Sequence, residues 1–199
     1  MRTCFALVAA LTLAGCSGAS EQTTTAKGAK APKMEAASET ADGLKVERSD
    51  MNGDKSPDVW VYFKEDGSDK LADGTPKRTI VKKESDLNFD SKKDVLVEYD
   101  KAGNVEREVF DFDFDGVVDQ ENLLAGGRVS EKHLYAPQTS RIFIWKYYSE
   151  GQMIMLKRDD TGDGIADRCE EWFKGEKIVR TGRDINRDGD CDEWKSVAP

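Results

Sequence analysis

The sequence predicts an all-β protein, an antiparallel meander of repeated β-hairpins that forms either an open or a barrel-like sheet. Three observations predict this fold. Short segments rich in β-branched and aromatic residues recur, no segment has the periodicity of an amphipathic helix, and Asp-rich loops alternate with glycine turns between the segments. Loop starts lie 25 residues apart from Asp86 to Asp111 and from Asp159 to Asp184. A fixed period of this length indicates a repeated supersecondary unit.

Residues 1–15 have the features of an export signal. Arg2 precedes an apolar run from Phe5 to Leu13 that is too short to span a membrane as a helix. The run leads into Leu-Ala-Gly-Cys, which resembles a bacterial lipobox, and the resemblance implies that Cys16 becomes the lipidated first residue of the mature protein. An ordinary signal peptide with an incidental cysteine is the alternative. Ser17, where an Asp would indicate inner-membrane retention in enteric bacteria, favours the outer membrane of the cell envelope over the inner one.

Residues 16–43 are rich in Ala, Thr, Ser, Gly, Lys and Glu and contain no aromatic residue. Such a composition cannot bury enough apolar surface to fold alone. We therefore expect a disordered, lipidated tether over 16–43 and place the repeat β domain at 44–199.

The strands of the repeat domain are predicted from β-branched and aromatic runs, at Val59–Phe63, Val95–Tyr99, Val105–Phe110, Ile142–Tyr148, Met153–Leu156, Glu170–Phe173 and Lys177–Arg180. Glycine turns are expected after several of them, the first at Glu65-Asp66-Gly67, followed by a polar insertion over 68–79. The 48 residues from Asp111 to Asp159 are about two periods. A loop that has lost its acids is therefore expected near residues 135–140.

Five Asp-rich loops carry the chemistry, and we number them by position: loop 1 (50–58), loop 2 (86–94), loop 3 (111–119), loop 4 (159–167) and loop 5 (184–192). Each has Asp at its first, fifth and ninth places and an oxygen-bearing side chain at the third. Ca²⁺ takes six to eight oxygens, and oxygens at alternate places of a tight loop converge on one point. The predicted ligands are Asp50, Asn52, Asp54, Asp58, Asp86, Asn88, Asp90, Asp94, Asp111, Asp113, Asp115, Asp119, Asp159, Thr161, Asp163, Asp167, Asp184, Asn186, Asp188 and Asp192.

Loop 3, with the sequence DFDFDGVVD, resembles the first nine places of an EF-hand calcium loop and the related loops of dockerins and thrombospondin type 3 repeats. Asn122 stands where an EF-hand has its twelfth-place Glu. The alternative is that the acids are solvated turns. Closely spaced carboxylates repel one another unless a cation lies among them, so their spacing favours cation binding over turns alone. Ca²⁺ is favoured over Mg²⁺ because Mg²⁺ requires octahedral geometry and retains water ligands.

The five loops are not expected to bind equally. Gly116, Gly164 and Gly189 occupy the sixth place of loops 3, 4 and 5, where the backbone must turn sharply. Lys55 and Ser91 occupy it in loops 1 and 2, and loop 2 also carries two lysines. We therefore expect the loops that start at Asp111, Asp159 and Asp184 to bind Ca²⁺ most tightly and loop 2 least.

Charge and cysteine content exclude some classes of function. The chain has 30 basic and 39 acidic residues and a formal charge of -9, which disfavours nucleic-acid binding. Of the four cysteines, Cys4 leaves with the signal and Cys16 is used for lipid. In an exported protein the remaining Cys169 and Cys191 are expected to form a disulfide.

The remaining candidate residues do not indicate an enzyme. His133 is the single histidine, and nearly every regularly spaced Asp is accounted for by a loop. We expect a calcium-binding lipoprotein of the bacterial cell envelope that acts as a structural, adhesion or complex-scaffold component. Its expected partners are the membrane, through the lipid, and envelope proteins or polysaccharide. A carbohydrate-binding module that uses Trp60, Trp145, Trp172 and Trp194, or a carbohydrate hydrolase, is the alternative.

Overall fold

The computed structural model describes residues 33–197, which lie in the second of the two units into which the chain divides, at 31–199. They form thirteen β-strands: β1 (Lys33–Glu39), β2 (Lys45–Asp50), β3 (Val59–Lys70), β4 (Pro76–Ser85), β5 (Val95–Tyr99), β6 (Val105–Phe110), β7 (Gln120–Ala125), β8 (Arg128–Tyr135), β9 (Ile142–Ser149), β10 (Gln152–Arg158), β11 (Arg168–Phe173), β12 (Lys177–Arg183) and β13 (Glu193–Ser196). Within 33–197 no helix is long and apolar enough to cross a membrane.

The strands form one sheet in which their spatial order is their order along the chain. Every neighbouring pair is antiparallel, from β1 with β2 to β12 with β13. The predicted all-β meander is confirmed. Among the described strands, β1 and β13 each pair with one neighbour only, so the sheet is open.

This topology sorts the connections between strands to opposite ends of the sheet. The five Asp-rich loops follow β2, β4, β6, β10 and β12, and the short turns follow the odd-numbered strands. Because successive strands are antiparallel, alternate connections emerge at the same end. We call these two ends the loop end and the turn end. The expected acid-poor loop, at 136–141, connects β8 to β9 and also lies at the loop end.

The sheet is a single layer, because each described strand contacts only its neighbours in the sheet. The buried apolar residues are correspondingly few: Leu44, Val46, Phe63, Val109, Ala166 and Cys169. More of the buried residues are polar: Asp58, Glu84, Asp86, Asp94, Asp111, Glu121, Asn122 and Asp159. In most domains a second layer of structure covers one face of a sheet. Here the side chains on that face are buried by their neighbours on adjacent strands.

One row of directly opposed residues shows how the face is built. It runs through Trp60, Glu84, Leu96, Val109, Glu121, His133, Trp145, Lys157, Cys169, Gly182 and Trp194. Glu84 accepts hydrogen bonds from the Tyr62 hydroxyl at 2.8 Å and from Lys82 at 2.9 Å, and Lys93 also binds it. Although burial raises the pKa of Glu84, these donors outweigh it and leave the pKa below its usual value.

The predicted disulfide is confirmed. Cys169 in β11 is bonded to Cys191 in loop 5, with their Cα atoms 6.2 Å apart. The bond joins β11 to the connection before β13, the shortest strand.

The sheet begins earlier than the sequence indicates. Residues 33–43, predicted as part of a disordered tether over 16–43, instead form β1 and a turn. Lys33 pairs with Asp50 and Glu39 with Lys45. The edge of β2 thus supplies backbone hydrogen-bond partners to a segment whose composition does not favour folding alone. Residues 1–32, with the predicted signal peptide, Cys16 and the rest of the tether, lie outside the described residues.

The first hairpin of the repeat domain is also longer than predicted. Gly67 lies inside β3, and the chain reverses at 71–75 instead of 65–67. Ion pairs of Glu65 with Arg78 and of Asp69 with Lys77 support the extension. The polar insertion over 68–79 is therefore mostly strand.

Candidate metal centre

The five Asp-rich loops share one backbone conformation. The fourth and sixth residues of every loop have positive φ: Gly53, Lys55, Phe89, Ser91, Phe114, Gly116, Gly162, Gly164, Arg187 and Gly189. Lys55, with φ of 82°, and Ser91, with 71°, adopt the conformation that glycine adopts in loops 3, 4 and 5. Because side chains rarely occupy this region, the loop shape outweighs the local preference of these residues.

The first-place Asp organises each loop from within. In loop 3, Asp111 Oδ1 accepts a hydrogen bond from the amide of Phe114 at 2.8 Å, and Oδ2 accepts one from Gly116, also at 2.8 Å. The first-place aspartates of the other loops accept the same pair of amide bonds. This carboxylate thereby folds the chain around itself, which explains why Asp86, Asp111 and Asp159 are buried.

The ninth-place Asp closes the loop. Asp119 Oδ2 accepts the amides of Phe112 at 2.6 Å and Asp113 at 3.3 Å. The equivalent oxygens of Asp58, Asp94, Asp167 and Asp192 are bonded in the same way. Since Oδ2 is used by the backbone, Oδ1 of each ninth-place Asp is the atom available to a ligand.

The third-place and fifth-place side chains of loop 3 each accept a hydrogen bond from the amide two residues further along the chain. Asp115 accepts the amide of Val117 at 2.7 Å, and Asp113 accepts that of Asp115 at 3.2 Å. Each of these carboxylates uses one oxygen in its turn, which leaves the other oxygen free to bind a cation.

The carboxylates converge in two of the loops. Ligand oxygens of Asp86, Asp90 and Asp94 in loop 2 lie within 4.8 Å of one another, as do those of Asp111, Asp113 and Asp115 in loop 3. These two groups can hold a metal ion. Loop 2 was expected to bind Ca²⁺ least, so its geometry is better than its sequence indicates, although Lys92 lies 3.8 Å from Asp90.

Electrostatic strain is evident at Asp113 in loop 3. The amide of Asp115 lowers the pKa of Asp113, but burial and the negative charges of Asp115, Asp119 and Asp111 together outweigh that bond and raise the pKa above its usual value. A cation among these four carboxylates would remove the repulsion.

Loop 1 contains a buried carboxylate oxygen without a partner. Asp58 is 1% exposed, and its Oδ1 makes no hydrogen bond. The equivalent Oδ1 of Asp167 and of Asp192 lies against the third-place side chain of its own loop, at 3.4 and 3.3 Å. Oδ1 of Asp58 therefore faces the centre of loop 1, and an unpaired buried carboxylate oxygen is costly unless a cation binds it.

Basic side chains from neighbouring segments contact loops 4 and 5, a feature that the sequence did not reveal. Arg187 of loop 5 pairs with Asp163 of loop 4, and Arg141 reaches Asp159 at 3.5 Å. Lys157 binds Asp190 at 2.5 Å and the carbonyl of Gly189 at 2.9 Å. These basic side chains partly neutralise the two loops, and Arg187 would compete with a metal ion for Asp163, a predicted ligand.

The loops are also linked through the backbone. The amide of Asp86 donates to the carbonyl of Asp58, that of Asp111 to Asp94, and that of Asp184 to Asp167. Consecutive loops are separated by two strand spacings, roughly 10 Å. The predicted ligands thus lie in a row of neighbouring loops along the loop end, interrupted by the acid-poor connection at 136–141.

His133 belongs to a separate polar cluster on the sheet face. Its Nδ1 lies 2.8 Å from Glu121 and its Nε2 lies 2.7 Å from Glu131. Glu121 is also bound by Arg107 and by the Tyr135 hydroxyl. This cluster requires β6, β7 and β8 to be in register, so no local sequence pattern predicts it. Every group in it has a partner, as expected of a structural cluster.

The four tryptophans are half-buried, and two of them are covered by cations. Lys93 lies 5.1 Å from the ring centre of Trp60, and Arg180 lies 4.2 Å from that of Trp194. Trp60 and Trp194 therefore contribute to the sheet face through cation–π contacts.

The sequence matches no protein-family model and no curated protein. Inference about function therefore depends on the chain's own residues.

Proposed function

We propose that this protein is a calcium-binding lipoprotein of the bacterial cell envelope, held by lipid on Cys16 and acting as a structural, adhesion or complex-scaffold component. The observation that carries the calcium assignment is the shared loop: five connections at one end of one sheet adopt the same backbone conformation around an Asp at the same place. A simple turn needs one Asp or Asn, whereas loops 2 and 3 each bring three carboxylates within 4.8 Å of one another.

The identity of the cation follows from the ligands. All are carboxylate, amide or hydroxyl oxygens, which hard cations prefer, and the described loops contribute neither histidine nor a free thiolate to them. Four side-chain oxygens from a nine-residue loop fit the flexible coordination of Ca²⁺ better than the octahedral, water-retaining coordination of Mg²⁺.

A binding role is supported by the construction of the sheet. A single-layer sheet with a row of Asp-rich loops offers a long surface. The buried Glu84 and Glu121 on its face are engaged by neighbouring side chains. Such a surface suits a scaffold or adhesion component whose partners are the membrane and envelope proteins or polysaccharide.

Calorimetric titration of Ca²⁺ into the mature chain carrying Cys16→Ser tests the calcium assignment. We expect up to five ions per chain and weaker heats with Mg²⁺. Asp115→Asn should remove the loop 3 site. Asp69→Asn is the matched control, because Asp69 is an exposed acid in β3 outside the loops. Absence of binding at millimolar Ca²⁺, or equal losses in both variants, would refute the assignment.

The lipid anchor is tested separately by membrane fractionation. Cys16→Ser should release the protein from membranes into the soluble fraction. A variant that still sediments with membranes after washing in high salt contradicts the lipoprotein proposal.

A further inference from the structure

The second and fourth places of the loops carry exposed apolar side chains. They are Met51, Leu87, Phe89, Phe112, Phe114 and Ile185, and Phe112 is 59% exposed. Five of the six belong to loops 1, 2 and 3, which are consecutive along the loop end. Apolar side chains concentrated in otherwise acidic loops indicate an interaction surface.

The fold does not require a phenylalanine at the fourth place of loops 2 and 3. Phe89 and Phe114 have φ of 64° and 63°, a conformation that bulky residues rarely adopt, while loops 1 and 4 have glycine at the same place. Neither phenylalanine recovers this cost by burial in the sheet, because both rings are exposed. A local cost retained without a folding benefit indicates a functional reason.

The position of these loops suggests what they contact. Lys33 pairs with Asp50, so the chain enters the sheet at the loop end, beside loop 1. Cys16 precedes Lys33 by 17 residues, which span at most about 60 Å. A lipid on Cys16 would therefore keep the bilayer at high effective concentration near loops 1, 2 and 3.

Charge makes the contact dependent on cations. The five loops carry 18 acidic and 4 basic side chains, a net charge of -14, so the metal-free loop end is repelled by anionic lipid. Five divalent cations would reduce the charge to -4. Each loop offers four side-chain ligands to an ion that takes six to eight oxygens, which leaves positions for phosphate oxygens.

We propose that the calcium-loaded loop end docks on an anionic phospholipid surface. Loop-bound Ca²⁺ bridges to headgroup phosphates, and Met51, Leu87, Phe89, Phe112 and Phe114 insert among the headgroups. The inference rests on the proposed function for its calcium and its lipid anchor. The anchor supplies one membrane attachment and the loop end supplies a second, reversible one.

Vesicle sedimentation tests this docking with the mature chain carrying Cys16→Ser, so that no covalent lipid contributes. The vesicles contain either phosphatidylcholine alone or a mixture with phosphatidylglycerol. We expect binding to the mixed vesicles in Ca²⁺ and its loss in EDTA. Phe112→Ser should weaken binding at least about tenfold, because a phenylalanine no longer enters the apolar boundary.

Leu71→Ser is the matched control, since Leu71 is 55% exposed but lies at the turn end. It should bind vesicles as the parent does. Calorimetric Ca²⁺ titration of the same samples separates the two proposals. Normal Ca²⁺ binding without vesicle binding overturns the docking alone, whereas loss of Ca²⁺ binding overturns the proposed function with it.

Three further results would overturn the lipid as the occupant of this surface. Equal binding to both kinds of vesicle would show that anionic headgroups are not recognised. Equal weakening by Phe112→Ser and Leu71→Ser would show that the loops are not the contact. Sedimentation in Ca²⁺ without vesicles would show that the loop end contacts a second copy of the chain.

Discussion

Gly182 shows how closely packed one part of this thin sheet is. A Cβ at this position would lie 2.8 Å from the Cβ of Cys191 and 3.0 Å from the ring of Trp194. The disulfide and the indole therefore pack directly over the backbone of β12. A glycine within a strand often marks such a close approach.

We predict that Gly182→Ala lowers the free energy of unfolding by about 1–3 kcal/mol, because Cys191 and Trp194 must move. Gly67→Ala is the matched control: Gly67 also lies in a strand, and a Cβ there meets nothing within 4 Å. Urea unfolding should show a lower midpoint for the Gly182 variant only. Equal midpoints for the two variants would contradict the close packing.

Tyr147 provides a second test at the level of single residues. Burial raises its pKa to about 12, with a further contribution from the negative charge of Glu131. The neutral phenol is thus favoured in the folded chain, while the unfolded chain ionises near the ordinary value of about 10. The resulting stabilisation is complete below pH 10 and is lost as the pH rises towards 12.

The pKa values of Tyr135 and Tyr148 are also raised, but that of Tyr147 is raised to about 12. We predict that absorbance titration of the folded protein shows a last tyrosine step well above the ordinary range. Tyr147→Phe should remove this late step and reduce the loss of stability between pH 10 and 12. If the late step persists in the variant, it belongs to another residue.

At the level of elements, the disulfide secures the end of the sheet. β13 has four residues and only β12 as a neighbour among the described strands, and loop 5 connects the two. The Trp194 indole also donates to the carbonyl of Cys191 at 2.9 Å. These bonds hold a strand that is too short to be stable by pairing alone.

We predict that Cys169→Ala/Cys191→Ala destabilises the protein by about 3 kcal/mol, the chain-entropy value for a separation of 22 residues. Hydrogen exchange should accelerate first in β13 and loop 5, because their covalent link to β11 is lost. Uniform acceleration through all strands would instead indicate that the bond stabilises the whole sheet.

The strands differ in how well the sequence predicted them, and the single layer explains why. β5 and β6 were predicted with their observed bounds because they are dense in Val and aromatic residues. β2, β4, β7 and β13 were missed, since charged and other polar side chains occupy most positions of strands such as PKRTIVKKES. In a sheet with solvent on both sides, backbone pairing with neighbours forms these strands without an apolar pattern.

The candidate site shows the same division between local and long-range information. The places of the aspartates are local, so the sequence was enough to predict the two groups of carboxylates that converge, in loops 2 and 3. The contacts of Arg187 with Asp163 and of Arg141 with Asp159 join residues more than 15 positions apart. Only the register of the sheet brings them into contact, and no spacing along the chain indicates it.

On the scale of the whole molecule, a single layer with a small apolar core must be stabilised by its ladders and connections. Loop 3 opposes folding when metal-free, because its carboxylates are held close together and raise the pKa of Asp113. A cation that binds only the folded loops adds stability: at 100 times its dissociation constant each site contributes about 2.7 kcal/mol. Several sites would rival the stability of an ordinary domain, about 5–15 kcal/mol.

We therefore predict that EDTA lowers the melting temperature steeply relative to millimolar Ca²⁺. Asp115→Asn gives the sharpest test, since the amide oxygen can still accept the bond from Val117 while one ligand charge is lost. In Ca²⁺ the variant should melt below the parent protein, and by more than Asp90→Asn in loop 2, where Lys92 lies nearby. In EDTA it should melt at or above the parent, because the repulsion around Asp113 is relieved.

The reversal between the two conditions separates a metal site from a structural turn. If Asp115 only shaped the backbone, its replacement would have the same effect with and without Ca²⁺. If the four carboxylates hold a cation, the negative charge of Asp115 destabilises the metal-free loop but stabilises the loop with its ion. Its removal therefore has opposite effects in EDTA and in Ca²⁺. Equal melting temperatures of the parent protein in EDTA and in Ca²⁺ would show that the row of loops consists of turns alone.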